Sequence, residues 1–272
     1  MARMGSTTLT FPGFHGATRR LVLLNAAAFF VFAIVQTFNL DAFKWLVVHM
    51  GLAPELFLFH GWLWQPFTYS LVQLGLLNTV FAVLSIWFLA GFLEGFHSDS
   101  WVTGLYAASI LGTALAGVVL AFAATAAGMD LGRELLTGSF GGSFGLIIAI
   151  GVLYGDMEFT LFPIPVQIKA RYLAVIYAVI SVAMLFGSSR LNAFAQLGGG
   201  LAAWLYVRMA PRRGVSFAAS EGWYGLRNRY YRWKRRRASR KFEVYMKKQG
   251  RTVRFDGQGR QLDEDDDPKR WN

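Results

Sequence analysis

The hydroxyls best placed for chemistry in the apolar part of this chain are Ser139 and Ser143, within Thr137–Leu146, TGSFGGSFGL. That stretch packs four glycines and two serines into ten residues and runs straight into IIAIGVLY. A serine becomes a nucleophile only when a neighbouring base takes its proton. The four histidines are His15, His49, His60 and His97, all well before the serines in the chain. No Lys, Asp or Glu lies inside the apolar runs Ser139–Tyr154, Tyr172–Phe186 and Leu191–Val207, so a Ser-Lys dyad is missing too. What accompanies the serines is a set of amides: Gln73, Asn78, Asn192 and Gln196. Asn192 and Gln196 are four apart and share a helix face. An amide does not accept a proton near neutral pH, so this set suits hydrogen bonding rather than acid–base work. The chain has no cysteine, which excludes disulfides and thiol chemistry. No metal or cofactor is expected.

The elements that must position these groups are membrane helices. Hydrophobic residues make up 54% of the 272, charged residues only 16%, and the mean hydropathy is +0.38. A soluble domain carries about 25% charged residues. The apolar residues fall in runs near the ~20 needed to cross a bilayer as a helix. Six spans are expected: about Leu21–Thr37, Leu71–Gly91, Trp101–Ala124, Ser139–Tyr154, Tyr172–Phe186 and Leu191–Val207. The first run lacks a small-residue cleavage site, so it reads as a span and not as a signal peptide. A long loop rich in Phe and Trp, which anchor at the membrane interface, separates the first two spans. Arg19, Arg20, Lys169, Arg171, Arg208, Arg212 and Arg213 fall on one face, which predicts both termini in the cytoplasm. Inside the spans there is no mid-membrane ionisable group and no evident inverted repeat, which disfavours a transporter.

In lipid, helices associate through close contact, which small residues at steps of four permit. The third span carries Gly104, Ala108, Gly112 and Ala116, the fourth Gly141, Gly145 and Ala149, and the sixth Ala195, Gly199 and Ala203. These ladders predict a compact bundle with the fourth span against the sixth. Buried amides must pair, and as interhelical links each bond is worth about 0.6–2 kcal/mol.

The net charge of +11 is confined to the tail: from Arg208 onward there are 19 basic and 8 acidic residues, and 8 of each before it. Trp223, Leu226, Tyr230 and Trp233 recur at helical steps among Arg227, Arg229, Arg232, Lys234, Arg235, Arg236 and Arg237. This reads as a basic amphipathic helix on an anionic membrane surface. No nucleic-acid-binding module is visible, so nucleic acid is not an expected partner. The chain ends in an acidic stretch, Asp263–Asp267, which reads as disordered. The expected organisation is thus a short cytoplasmic start, 1–20, a six-span membrane domain, 21–208, and a basic cytoplasmic tail, 209–272.

The stretch Gly138-Ser139-Phe140-Gly141-Gly142-Ser143-Phe144-Gly145-Leu146 resembles the active-site segment of rhomboid intramembrane serine proteases, Gly-x-Ser-Gly-x-x-Phe-Gly-Leu. The resemblance runs over roughly residues 20–208. Gln73-Leu74-Gly75-Leu76-Leu77-Asn78 and Ala82 follow the family's second span, which ends in Gly-x-Leu-Glu, here Gly91-Phe92-Leu93-Glu94. Gln196-Leu197-Gly198-Gly199 and Ala203 follow its sixth. Trp64-Gln65 stands at the family's Trp-Arg loop. The resemblance implies an all-α, six-helix bundle. The scaffold positions Gly138, Gly141, Gly145, Gly199 and Ala203 match, and the catalytic ones do not. Phe140 stands at the nucleophile, Gln196 at the general base, Gln73 and Asn78 at the two histidines of the second span, and Ala82 at its asparagine. The chain therefore reads as a rhomboid-like pseudoprotease that binds transmembrane segments of client proteins. The groove would use Gln73, Asn78, Phe140, Ser143, Asn192 and Gln196. The alternative is an active intramembrane protease with the nucleophile displaced to Ser143 or Ser139.

Overall fold

A computed structural model describes residues 12–128, 134–161, 166–187 and 190–209, together with 227–228, 230–231, 233–234, 245, 248–249, 254–255 and 261–262. The chain divides into two units, Met1–Val215 and Ser216–Asn272. The first contains α1 (Gly16–Phe38), α2 (Leu40–Met50), α3 (Pro54–His60), α4 (Gln65–Thr68), a 3₁₀ turn (Tyr69–Leu71), α5 (Leu76–Glu94) and α6 (Asp99–Ala126). It continues with α7 (Phe140–Leu153), β1 (Glu158–Leu161), β2 (Val166–Lys169), α8 (Ala170–Met184) and α9 (Arg190–Met209).

The six apolar runs form α1 and α5 to α9. Of these, α1, α5 and α6 are long and apolar enough to cross a membrane, at 23, 19 and 28 residues. Helices α7 and α8 have 14 and 15 residues. At 1.5 Å per residue that is about 21–23 Å, less than the ~30 Å hydrocarbon core. The short length of α7 is compatible with its place inside the bundle, where nine of its residues are buried. A helix apolar on all sides belongs in such an interior.

Helix α9 packs on α6 most extensively and on α7 next. The contact is close because it is glycine against backbone. A Cβ added to Gly112 would lie 2.9 Å from the Gly198 carbonyl oxygen, and one added to Gly198 would lie 2.9 Å from that of Gly112. At Gly199 it would lie 2.9 Å from the Ser109 carbonyl and 3.1 Å from that of Gly141. At Gly145 it would overlap Ser109 and lie 3.2 Å from the Ala203 methyl. Shape at these faces decides how near three helices can come.

One end of the bundle is tied by charge. The Glu94 carboxylate, buried at the end of α5, accepts hydrogen bonds from the first backbone amides of α1, those of Ala17 and Thr18. These are donors that a helix start leaves open, and negative charge is favourable there. His15 Nδ1 lies 3.5 Å from the other carboxylate oxygen, and Arg20 pairs with Asp99 at 3.2 Å. Tyr206, near the end of α9, donates to the Trp101 carbonyl at 3.1 Å. The start of α1 and the end of α9 therefore share one end of the bundle.

Two expectations are corrected, and one further element has no counterpart in them. The aromatic loop is largely helical. Asn39 Oδ1 caps α2 by accepting from the Asp41 and Ala42 amides at 3.0 and 2.9 Å, Pro54 opens α3, and Gly61, at φ +71°, ends it. The second span starts at Leu76 instead of Leu71, because the 3₁₀ turn and Gly75, at φ +86°, break the helix first. The connection before α8 contains an antiparallel hairpin pairing Glu158 with Lys169 and Phe159 with Ile168. Its alternation of polar residues with Phe, Leu, Val and Ile is a strand pattern, which a reading centred on spans passes over.

In the second unit the residues 227–228, 230–231 and 233–234 are helical, and the Tyr230 and Trp233 rings lie 6.2 Å apart. Arg254–Phe255 (β3) pairs antiparallel with Gln261–Leu262 (β4). Trp223, Leu226, Arg235, Arg236, Arg237 and the acidic stretch lie outside the described residues.

Candidate functional site

The head of α7 is held by backbone. Leu52 and Leu136 exchange hydrogen bonds at 3.0 and 2.9 Å, and the Gly138 amide donates to the Tyr69 carbonyl at 3.0 Å. Tyr69 in turn donates its hydroxyl to the Ile110 carbonyl of α6 at 2.9 Å. Gly138 has φ +88°, a conformation that a Cβ makes costly. The neighbouring helices are pinned by Gln65, fully buried, whose Oε1 accepts from the Ala53 amide at 3.3 Å while its Nε2 donates to the Val48 carbonyl at 3.2 Å. Thr68 adds a bond to the Met50 carbonyl at 2.7 Å.

Against this frame opens a cleft of about 460 Å³, lined by Asn78 of α5, Phe140 and Gly141 of α7, Met184 of α8, and Asn192, Ala193 and Gln196 of α9. Tyr69, Thr113, Leu136, Thr137 and Gly138 complete the wall. The size is that of an ordinary ligand pocket. Every polar group on it is neutral. Phe140, the first residue of α7, is 44% exposed. Gln196 accepts from Ser181 of α8 at 3.2 Å, which ties α9 to α8. Asn78 donates to the Leu74 carbonyl at 3.3 Å and is otherwise open to the cleft, and Asn192 is exposed.

The structure thus brings Asn78, Phe140, Asn192 and Gln196 together and puts Gln73, Ser143, Ser139 and Ala82 off the cleft wall. Gln73 precedes α5 and turns inward. Its Nε2 shares its two protons among Asn25 Oδ1 at 3.1 Å, Ser139 Oγ at 2.8 Å and the Ser70 carbonyl at 3.2 Å. Ser139 is buried behind Phe140 in that cluster. Ser143 is buried one turn on, its Oγ with no hydrogen-bond partner. Ala82 is 1% exposed, a turn deeper along α5 than Asn78. The serines fall to the interior because Phe140 occupies the position that faces the opening.

No histidine lines the cleft. His97 stacks on Trp101 with ring centroids 3.9 Å apart and sits 3.1 Å from the Tyr154 hydroxyl. His15 is at Glu94. His49 is sandwiched between Trp45 and Trp62, with centroids 3.8 and 4.5 Å away. His60 ends α3. Among the described residues, what the cleft offers is donors and acceptors in an apolar surround, with no imidazole, carboxylate or amine beside a hydroxyl.

Sequence reasoning missed Asn25, Tyr69, Thr113 and Met184. Asn25 had a signal, a lone amide inside the apolar run Leu21–Thr37. The other three gave none, because their role depends on which helices close around α7.

No curated protein matches the chain. A family model does, over residues 20–216, which takes in the long helices of the bundle, apart from the first turn of α1, and the whole cleft. The chain belongs to the family described as "Eukaryotic integral membrane protein (DUF1751)".

Proposed function

We propose that the chain is a catalytically inactive, rhomboid-like membrane protein whose cleft at the head of α7 holds a transmembrane segment of a client protein. One observation carries this reading. Phe140 and Gln196, the residues at the nucleophile and base positions of the resemblance, line one cleft whose described walls carry no carboxylate, imidazole or amine. Loss of a triad member leaves only about 10³–10⁴-fold catalysis over water. In the resemblance both nucleophile and base are replaced, and the Phe140 ring stands exposed on the cleft wall. Asn78, Asn192, Thr137 and Gln196 suit binding instead. Backbone groups freed where a client helix unwinds are costly in hydrocarbon, and neutral amides satisfy them without bringing in a charge.

In this reading both termini are cytoplasmic, since the basic residues cluster at that end, and the tail rests on anionic lipid, each basic residue near the surface adding about 1 kcal/mol. The purified protein should give no labelling by fluorophosphonates and no cleavage of model transmembrane substrates. Labelling that vanishes in Ser143→Ala or Ser139→Ala would overturn the inactive reading in favour of a displaced nucleophile.

A further inference from the structure

Just before α5 the chain turns back into the bundle. Gly75, at φ +86°, makes the turn, and Gln73 reaches inward to Asn25 of α1. Asn25 lies about two turns nearer the start of α1 than Phe32 and Ala33. The turn leaves a pocket of about 470 Å³ between the later part of α1 and the start of α5. Phe29, Phe32 and Ala33 of α1 line it with Leu74 and Leu76, and Phe43 of α2 completes the wall. The Phe32 and Phe43 rings meet edge-on, with centroids 6.3 Å apart. This pocket has no lining residue in common with the cleft at the head of α7.

Its surroundings say what fills it. The chain belongs to an integral membrane family, and the neighbours of the lining residues on both helices are exposed: Phe30, Val31 and Ile34 on α1, Leu77 and Phe81 on α5. The pocket is therefore continuous with the lipid-facing surface. Apolar rings gain dispersion energy only from atoms packed against them, and in a bilayer those atoms are hydrocarbon. No charged residue lines the pocket. Two amides do. The Gln73 Nε2 is taken up by the buried cluster of Asn25, Ser70 and Ser139. Gln36 is exposed, and it stands where the apolar run of α1 gives out, with Thr37, Asn39, Asp41 and Lys44 following, all exposed. Apolar walls ending in an exposed polar rim repeat the order of a bilayer leaflet, hydrocarbon first and headgroup region next.

We propose that this pocket is a lipid site that takes one acyl chain of a bilayer phospholipid, with the headgroup beside Gln36 and the polar residues after it. The acyl chain packs on Phe29, Phe32 and Phe43. It also lies against Gln73, whose amide holds Ser139, the residue before Phe140 of the cleft. A bound lipid thus braces the side chain that ties α1 to the head of α7. The site stands whether or not the cleft holds a client.

The test uses the full-length protein in phosphatidylcholine nanodiscs that contain graded fractions of phosphatidylcholine with a diazirine on one acyl chain. Adducts are mapped by peptide mass spectrometry. The expected result is labelling of residues 29–43 and 73–76 that saturates as the photo-reactive fraction rises, while labelling around the exposed Ile180 of α8 rises in proportion to it. Ala33→Trp, which fills the pocket from α1, should abolish the saturable labelling and leave that on α8 unchanged. Should this variant fail to fold, Phe43→Trp on α2 takes its place with the same expectation. Labelling at the pocket that rises in proportion, as on α8, would mean surface lipid only and overturn the site. Saturable labelling that persists in a folded, filled variant would also overturn it. So would the absence of adducts from these segments with labelling on α8 intact, since something other than lipid would then fill the space.

Discussion

Gly145 is where the packing of three helices can be tested by one methyl group. A Cβ there overlaps Ser109 of α6, touching both its Oγ and Cβ, and lies 3.2 Å from the Ala203 methyl of α9. The Ser109 Cβ is fixed to the backbone of α6, so no side-chain rotation relieves the clash. Overpacking costs about 1–3 kcal/mol, and a clash with an atom tied to the backbone belongs in the upper half of that range. For a protein of this size 1 kcal/mol moves the midpoint by about 2–4 °C. Gly145→Ala should therefore lower the thermal midpoint by about 4–12 °C, and Gly145→Leu should prevent assembly. Size-exclusion thermostability in mild detergent measures both, with Ala27→Leu on the exposed side of α1 as a control expected to change little. The decisive comparison is Gly145→Ala combined with Ser109→Gly. Removing the Ser109 side chain clears the obstacle, and the pair should recover most of the loss, less about 0.5–1 kcal/mol for glycine in a helix. An unchanged midpoint in Gly145→Leu, or no recovery in the pair, would refute the close packing of α7 between α6 and α9.

Other outcomes follow from the same geometry. Phe140→Cys with Gln196→Cys should be joined within one chain by a short bifunctional thiol reagent, and no intramolecular product in folded protein would mean the two do not share a cleft. Glu94→Ala leaves the Ala17 and Thr18 amides without their acceptor and should cost about 1–3 kcal/mol in thermal stability, whereas Glu94→Gln keeps an acceptor and should cost less; equal losses would remove the capping role. Gln73→Leu strands Asn25 and Ser139 in the interior and should destabilise by a similar amount, measured in the same assay, with no loss expected if the cluster were already solvated.

The bundle was legible in the sequence because lipid leaves few alternatives: long apolar runs become helices, and small-residue ladders mark where they touch. The contact of the fourth span with the sixth was legible and is present as α7 on α9, but the packing of the Gly145 and Gly199 faces on α6 was not, since a ladder does not say how many partners share it. At the cleft, the type of residue at 140 and 196 could be read, but the direction of each polar side chain could not. Gln73 was placed on a helix that begins three residues later, and a turn into the interior cannot be told from a helical face by spacing alone. Ser143 follows the same logic, with helical spacing from Ser139 but a side chain on the buried side of α7. The hairpin was not read from the sequence, although Glu158–Leu161 and Val166–Lys169 alternate as strands do.

The claim that the cleft binds and does not cut is tested most directly by a photo-reactive amino acid at Asn192, compared with one at Leu23 on the exposed side of α1, in native membranes. The expected result is a discrete protein adduct from position 192 alone, whose mass is that of an intact membrane protein plus this chain. Adducts to lipid only, or a partner recovered as a cleaved fragment, would contradict it.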